Sequence, residues 1–107
     1  MGPQCHVSGQ LSVNEEGVYV PGSAAEEAER AFANVFAILE AAEFAPSDIA
    51  YVDIAFIDLA DVAAVNAVYA RLFEEGRRPA RTIYGAASLP YGGRVKVQAI
   101  AIRDLDQ

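Results

Sequence analysis

The sequence has one cysteine, one histidine, one methionine and no tryptophan in 107 residues, and each scarcity narrows what the chain can do. A lone Cys5 closes no intrachain disulfide, which fits a reducing compartment. Nothing in its local sequence activates the thiol, so an inert side chain is expected. A lone His6 builds neither a histidine metal cluster nor an HExxH pair, so no metal is expected. On a strand such a histidine is ordinarily structural or solvent-facing. Positive charge is also scarce, with 8 Lys and Arg against 15 Asp and Glu and a net charge of -7. Nucleic-acid binding draws on counterion release by a basic surface, so nucleic acid is not an expected partner. No Lys/Arg-rich helix suits a membrane surface, and no apolar run approaches the roughly 20 residues of a span. The opening MGPQCHVSGQ lacks a charged n-region before an apolar stretch. His6 also stands where an acylation signal needs Ser or Thr. A soluble cytosolic protein is expected, with neither membrane nor leader.

What the chain has in excess is apolar surface. Hydrophobic residues make up 53% of it, a high share for one small domain. The length suits a single domain, residues 1–107, with one core. Two helices and a small sheet cannot hide that much apolar area, so part of it is expected to meet another subunit.

Along the chain, CHVSGQLSV reads as a strand, NEEG as a turn, and VYV as a short strand closed by Pro21-Gly22. Ser23 with Glu26 three residues later forms a capping box. Phe32, Val35, Phe36, Leu39 and Ala42 then recur at helical spacing. FAPSD ends that helix, because the residue before Pro46 is pushed out of helical geometry. Ile49 to Ile57 is apolar at nearly every position, as in a strand covered on both faces. Asp58 is a natural N-cap for a second helix, whose stripe is Val62, Val65, Tyr69, Leu72 and Phe73 and whose stop is Gly76. Strands over about Arg81–Ser88 and Arg94–Ile102 follow, joined by LPYGG as a hairpin turn. The order β-β-α-β-α-β-β predicts an α/β (α+β) fold, a mixed sheet with both helices on one face. The other face is the expected subunit contact.

Few residues suggest chemistry. YGAAS and YGG are glycine-bearing turns without a phosphate-loop pattern, and EEAER and FEEGRR read as solvated helix ends. Asn66 falls beside Val65 on the stripe of the second helix, where a buried amide needs partners or costs about 1–3 kcal/mol. A structural bond and a role near a site explain it equally well. Arg81 opens a strand directly after Pro79-Ala80, so its backbone direction is well fixed. A guanidinium so held beside an apolar cleft suits bidentate capture of a carboxylate. By composition alone, a surface arginine beside Arg77 and Arg78 is the commoner explanation, and those two read as solvated neighbours.

Four segments together are more specific. VSGQLSV, NVFAILEAA, DIAYVDIAFIDLADVAAVNAVYARLF and PARTIYGAASLPYGGRVKVQAIAI resemble the YjgF/RidA family of reactive-intermediate deaminases, from about Val7 to Ile102. The motifs SGQ, DxxxVNxVY, PAR and LPxGxxVxxxAIA carry the resemblance jointly. It implies a YjgF/chorismate-mutase-like fold, assembled as a homotrimer with clefts between neighbouring subunits. It also implies hydrolysis of enamine and imine intermediates to 2-keto acids and ammonia, with no metal or organic cofactor. On that resemblance Arg81 grips the substrate carboxylate, Asn66 supports the site, and Ser8 lines the cleft. Gly9 allows close backbone approach.

Two departures accompany it. The family usually places a glutamate near the end of its last strand to hold the attacking water, and Gln98 stands here. An amide orients water but takes no proton at neutral pH, a loss of up to about 10²–10⁴-fold where base help is needed. Members also generally begin earlier, with a strand and an aromatic covering the ligand that MGPQC does not supply, so another segment or subunit is expected to compensate. The leading expectation is an imine deaminase using Arg81 and Gln98. The rival is a module that binds small carboxylates through Arg81 without useful chemistry. A ribonuclease reading, attached to some relatives, fits neither the acidic balance nor the single histidine.

Overall fold

The structure is a computed structural model and describes residues 3–103. Met1 and Gly2, on which the leader and acylation readings partly rest, lie outside them. Among the described residues are four strands and two α-helices in the order β1 (Gln4–Gln10), α1 (Ala24–Ala41), β2 (Ile49–Phe56), α2 (Val62–Leu72), β3 (Ala80–Gly85) and β4 (Val95–Ile102). No helix among them is long and apolar enough to cross a membrane.

The strands form one mixed sheet in the order β1-β4-β2-β3. β4 lies antiparallel to both β1 and β2, while β2 and β3 run parallel. This corrects the expected hairpin: β2 lies between β3 and β4, and LPYGG turns within a longer connection. The burial pattern gives the reason. Val95, Val97, Ala99 and Ala101 on β4 are all buried, as suits a strand paired on both edges. No residue of β3 is fully buried, which suits an edge.

The short VYV strand is absent; only an isolated bridge joins Val13 to Tyr19. β1 leaves the sheet at a bulge, where the register slips between Val7 and Gln10. The chain beyond it is held as a loop by Asn14, whose side-chain oxygen accepts from the Glu16 and Val18 amides.

α1 starts as predicted. Ser23 Oγ accepts from the Glu26 amide at 3.2 Å, and the Glu26 carboxylate accepts from the Ser23 amide at 2.9 Å. Its buried stripe, Ala28, Ala31, Phe32, Val35 and Leu39, packs with Val65, Val68, Tyr69 and Phe73 of the second helical segment against Val52, Ile54, Phe56 and the inward row of β4. Asp58 caps a short 3-10 turn over Leu59–Asp61, accepting from the Ala60 amide, and α2 begins at Val62. α2 ends at Leu72, and Gly76, at φ +83°, takes the left-handed turn after it.

β2 is covered on both faces only toward its end. Tyr51 and Asp53 are half-buried on the side away from the helices, while Ala55 on that side is buried with Leu11 and Leu89. Beyond that small cluster the second sheet face is open in the single chain, with Lys96, Gln98, Ile100 and Ile102 half-buried along β4.

Candidate functional site

Pro79 precedes β3 and fixes the chain direction. Arg81 is then in register with Val52 of β2, a fully buried residue facing the helices. Neighbours in register share a face, so Arg81 projects toward the helical side, against α2. Its guanidinium carbon lies 4.5 Å from the Tyr69 ring centroid, within cation–π range. The Tyr69 hydroxyl donates to the Pro79 carbonyl oxygen at 2.7 Å. One tyrosine therefore holds both the arginine head and the backbone just ahead of it. Burial raises the Tyr69 phenol above its usual pKa, and the Arg81 and Arg78 guanidiniums pull it back down.

Arg81 Nη1 is buried and has no hydrogen-bond partner. An unmet buried donor ordinarily costs about 1–3 kcal/mol, more for a charged group. The cleft it faces has a volume of about 340 Å³ and is lined by Asn66, Tyr69, Ala70, Arg78, Pro79 and Arg81, with no carboxylate among them. Asn66 is thus brought together with Arg81, though not as a buried amide. It is exposed, because the inward face of α2 is Val65, Val68 and Tyr69, and position 66 lies about 100° round the helix from 65.

Ser8, Gly9 and Gln98 sit elsewhere. Ser8 and Gly9 occupy the β1 bulge, and Gln98 pairs across with Asp53 of β2. Val97 and Ala99 point into the core, so Gln98 faces the open side of the sheet. Arg81 faces the helical side, two strands away. Within one chain the expected clamp and the expected water holder do not meet. The space beside Gly9 is taken by the methylenes of Lys96, since a Cβ there would lie 2.8 Å from Lys96 Cδ.

Two larger clefts lie apart from Arg81. One, of about 410 Å³, includes Asn14, Arg30 and Asn34. The other, of about 450 Å³, is lined by Tyr19, Glu27 and Arg94 among others. Glu27 corrects the reading of EEAER as a solvated end, because it is fully buried. Its carboxylate accepts from the Tyr19 hydroxyl at 2.7 Å and the Arg94 amide at 3.0 Å. It clasps the start of β4 to the loop before α1. The hydrogen bond to Glu27, with burial, raises the Tyr19 pKa. A helix-spaced Glu one turn from the buried Ala31 was the available signal. Among the described residues, no cluster of three or more His, Cys, Asp or Glu side chains is placed to hold a metal ion.

The family model described as Endoribonuclease L-PSP matches residues 1–103. The chain belongs to the YjgF/RidA family. Its relatives include proteins named 2-iminobutanoate/2-iminopropanoate deaminase. The one from Capra hircus is 39% identical over 99 residues, covering 92% of this chain and 72% of that protein. The one from Escherichia coli K12 is 37% identical over 105 residues, covering 96% and 82%. Among solved structures, the YjgF gene product of E. coli superposes with a TM-score of 0.88 at 37% identity, over 97% of this chain and 84% of that one. A Thermotoga maritima protein described as a putative endoribonuclease superposes at 0.90 with 35% identity, over 97% and 82%. The mixed four-stranded sheet with its two helices is therefore the fold of this family.

Proposed function

We propose that the protein is an imine deaminase acting on small 2-imino acids and their enamine tautomers. The observation that carries this reading is the buried, unpartnered Arg81 Nη1 in a cleft without a neutralising carboxylate. Such a cation is completed by an anionic ligand, and a planar carboxylate matches the guanidinium fork. The names of the mammalian and bacterial relatives supply the reaction class. In it, the oxygen of water adds to C2 of the imine, the carbon–nitrogen bond then breaks, and ammonia leaves with the protons that balance the step. The product is the 2-keto acid. The imine carbon is already electrophilic, so carboxylate capture and water placement supply much of the catalysis.

The separation of Arg81 from Gln98 fits a cleft shared between copies. Arg81 and Asn66 come from one chain, and Ser8, Gly9 and Gln98 from the open sheet face of another. A homotrimer closes such clefts by symmetry and covers that face. The ribonuclease description of the family model sits poorly with a charge of -7 and a single histidine. The rival reading, carboxylate binding without catalysis, draws on Gln98, an amide where proton transfer is wanted.

The test is turnover. With 2-iminopropanoate generated in situ by an amino-acid oxidase and trapped by semicarbazide, added protein should reduce semicarbazone formation at a slow but measurable rate. Semicarbazone formation unaffected by saturating protein, with 2-keto acids still bound, would leave the binding module.

A further inference from the structure

Arg78 is exposed, as its sequence context suggests, but it is not free. Its Nε donates to the Phe73 carbonyl oxygen at 3.3 Å, which ties the side chain back to the end of α2. It lines the same cleft as Arg81. Arg71, Arg77, Arg94 and Arg103 each pair with a carboxylate. Among the described residues, neither Arg78 nor Arg81 has such a partner. In an acidic chain, two unneutralised guanidiniums border one cleft of about 340 Å³. A single carboxylate satisfies one of them. Resting on the deaminase reading, we infer that this cleft selects dicarboxylic 2-imino acids, with Arg81 on the C1 carboxylate and Arg78 on the distal one. The reaction supplying them is oxidation of an acidic amino acid at its α-carbon, and water again replaces the imine nitrogen to give a dicarboxylic 2-keto acid and ammonia.

The test compares iminosuccinate, made in situ from aspartate, with 2-iminopropanoate made from alanine. Calorimetry of oxaloacetate against pyruvate runs beside it. Wild type should favour the dicarboxylate in both assays. Arg78→Ala should lower the dicarboxylate-to-monocarboxylate ratio about ten-fold or more, as loss of a charge-assisted pair implies. Arg77→Ala, whose side chain pairs with Glu74 outside the cleft, should leave the ratio alone. A wild-type preference for the monocarboxylate, or a ratio that Arg78→Ala does not change, overturns the inference while the deaminase reading stands. Dicarboxylate selectivity in binding, lost in Arg78→Ala but with no imine turnover, keeps the inference and removes the deaminase. Binding of neither acid removes both.

A different observation, the register of β2 and β4, carries a second inference on the same reading. Asp53 lies directly across from Gln98 on the open sheet face. Side chains so paired are about 4.5–5.5 Å apart at Cβ. Asp53 is half-buried, has no hydrogen bond or ion pair among the described residues, and is in register with Thr82, which bonds Tyr51. Gln98 can hold a water but not deprotonate it; a carboxylate one strand away can. We infer that Asp53 accepts the proton of the water positioned by Gln98 and returns it as ammonia departs.

Asp53→Asn should lower kcat about 100-fold with 2-oxobutanoate binding retained. The double variant Asp53→Asn/Gln98→Glu, which moves the carboxylate across the strand pair, should recover most of the loss. A purely structural role would not be rescued by that exchange. Full turnover in Asp53→Asn, or a double variant as slow as the single, overturns the assignment.

Discussion

Replacing Arg81 by alanine separates binding from stability. In the free protein the substitution removes a cation–π contact with Tyr69, about 0.5–2 kcal/mol where partly desolvated. It also removes a buried donor without a partner, whose burial costs about 1–3 kcal/mol. The two effects oppose each other and are similar in size. The unfolding free energy of Arg81→Ala should therefore stay within about 1 kcal/mol of wild type. Binding has no such compensation. A charge-assisted pair contributes roughly 1.5–3 kcal/mol, and each 1.4 kcal/mol is about tenfold in affinity. Calorimetry with 2-oxobutanoate should show a loss of about ten- to a hundred-fold, while urea unfolding shows little change. Arg81→Lys keeps the charge but not the fork and should fall between. An unchanged affinity would refute the clamp. A stability loss of several kcal/mol with the affinity loss would mean that Arg81 is chiefly a structural group.

Two further outcomes follow from the open sheet face and from Glu27. Light scattering at micromolar concentration should return a trimer; a clean monomer would remove the shared cleft. Tyr19 and Tyr69 have raised pKa values, so their protonated forms are favoured by folding. The stability this gives is fully present below pH about 10 and is lost as pH rises through the folded values. Tyr19→Phe should shallow that alkaline decline in urea-unfolding series, and an identical pH slope would mean that the Tyr19–Glu27 bond is not made in solution.

Local signals carried much of the fold. Ser23 and Glu26 announce a helix start because both partners of a capping box lie within four residues, and Pro46 ends the helix for reasons equally local. What failed depends on pairing between distant segments. LPYGG is a turn by composition, but whether its flanking strands pair with each other is settled by which strand can be buried on the helical face and bonded at both edges. Val95 to Ala101 meets that demand and takes the centre, leaving Thr82 and Gly85 on an edge. The alternation of VKVQAIAI carries this information, whereas adjacency in sequence does not. The place of Arg81 beside a cleft is legible because Pro79 fixes its backbone. Its neighbour Tyr69 reads only as core in the sequence, since cation–π contact needs the α2–β3 packing. Asn66 lies one position outside the buried face of α2, and neither Arg78 nor Asp53, the two groups inferred above, differs locally in sequence from a solvated charge.

The measurement closest to the central claim is a crystal structure of the protein with 2-oxobutanoate bound. The account predicts the ligand carboxylate on Arg81 of one chain, beside Asn66, with Gln98 of a second chain facing its C2 carbon. A ligand held wholly within one chain, or bound away from Arg81, would contradict it.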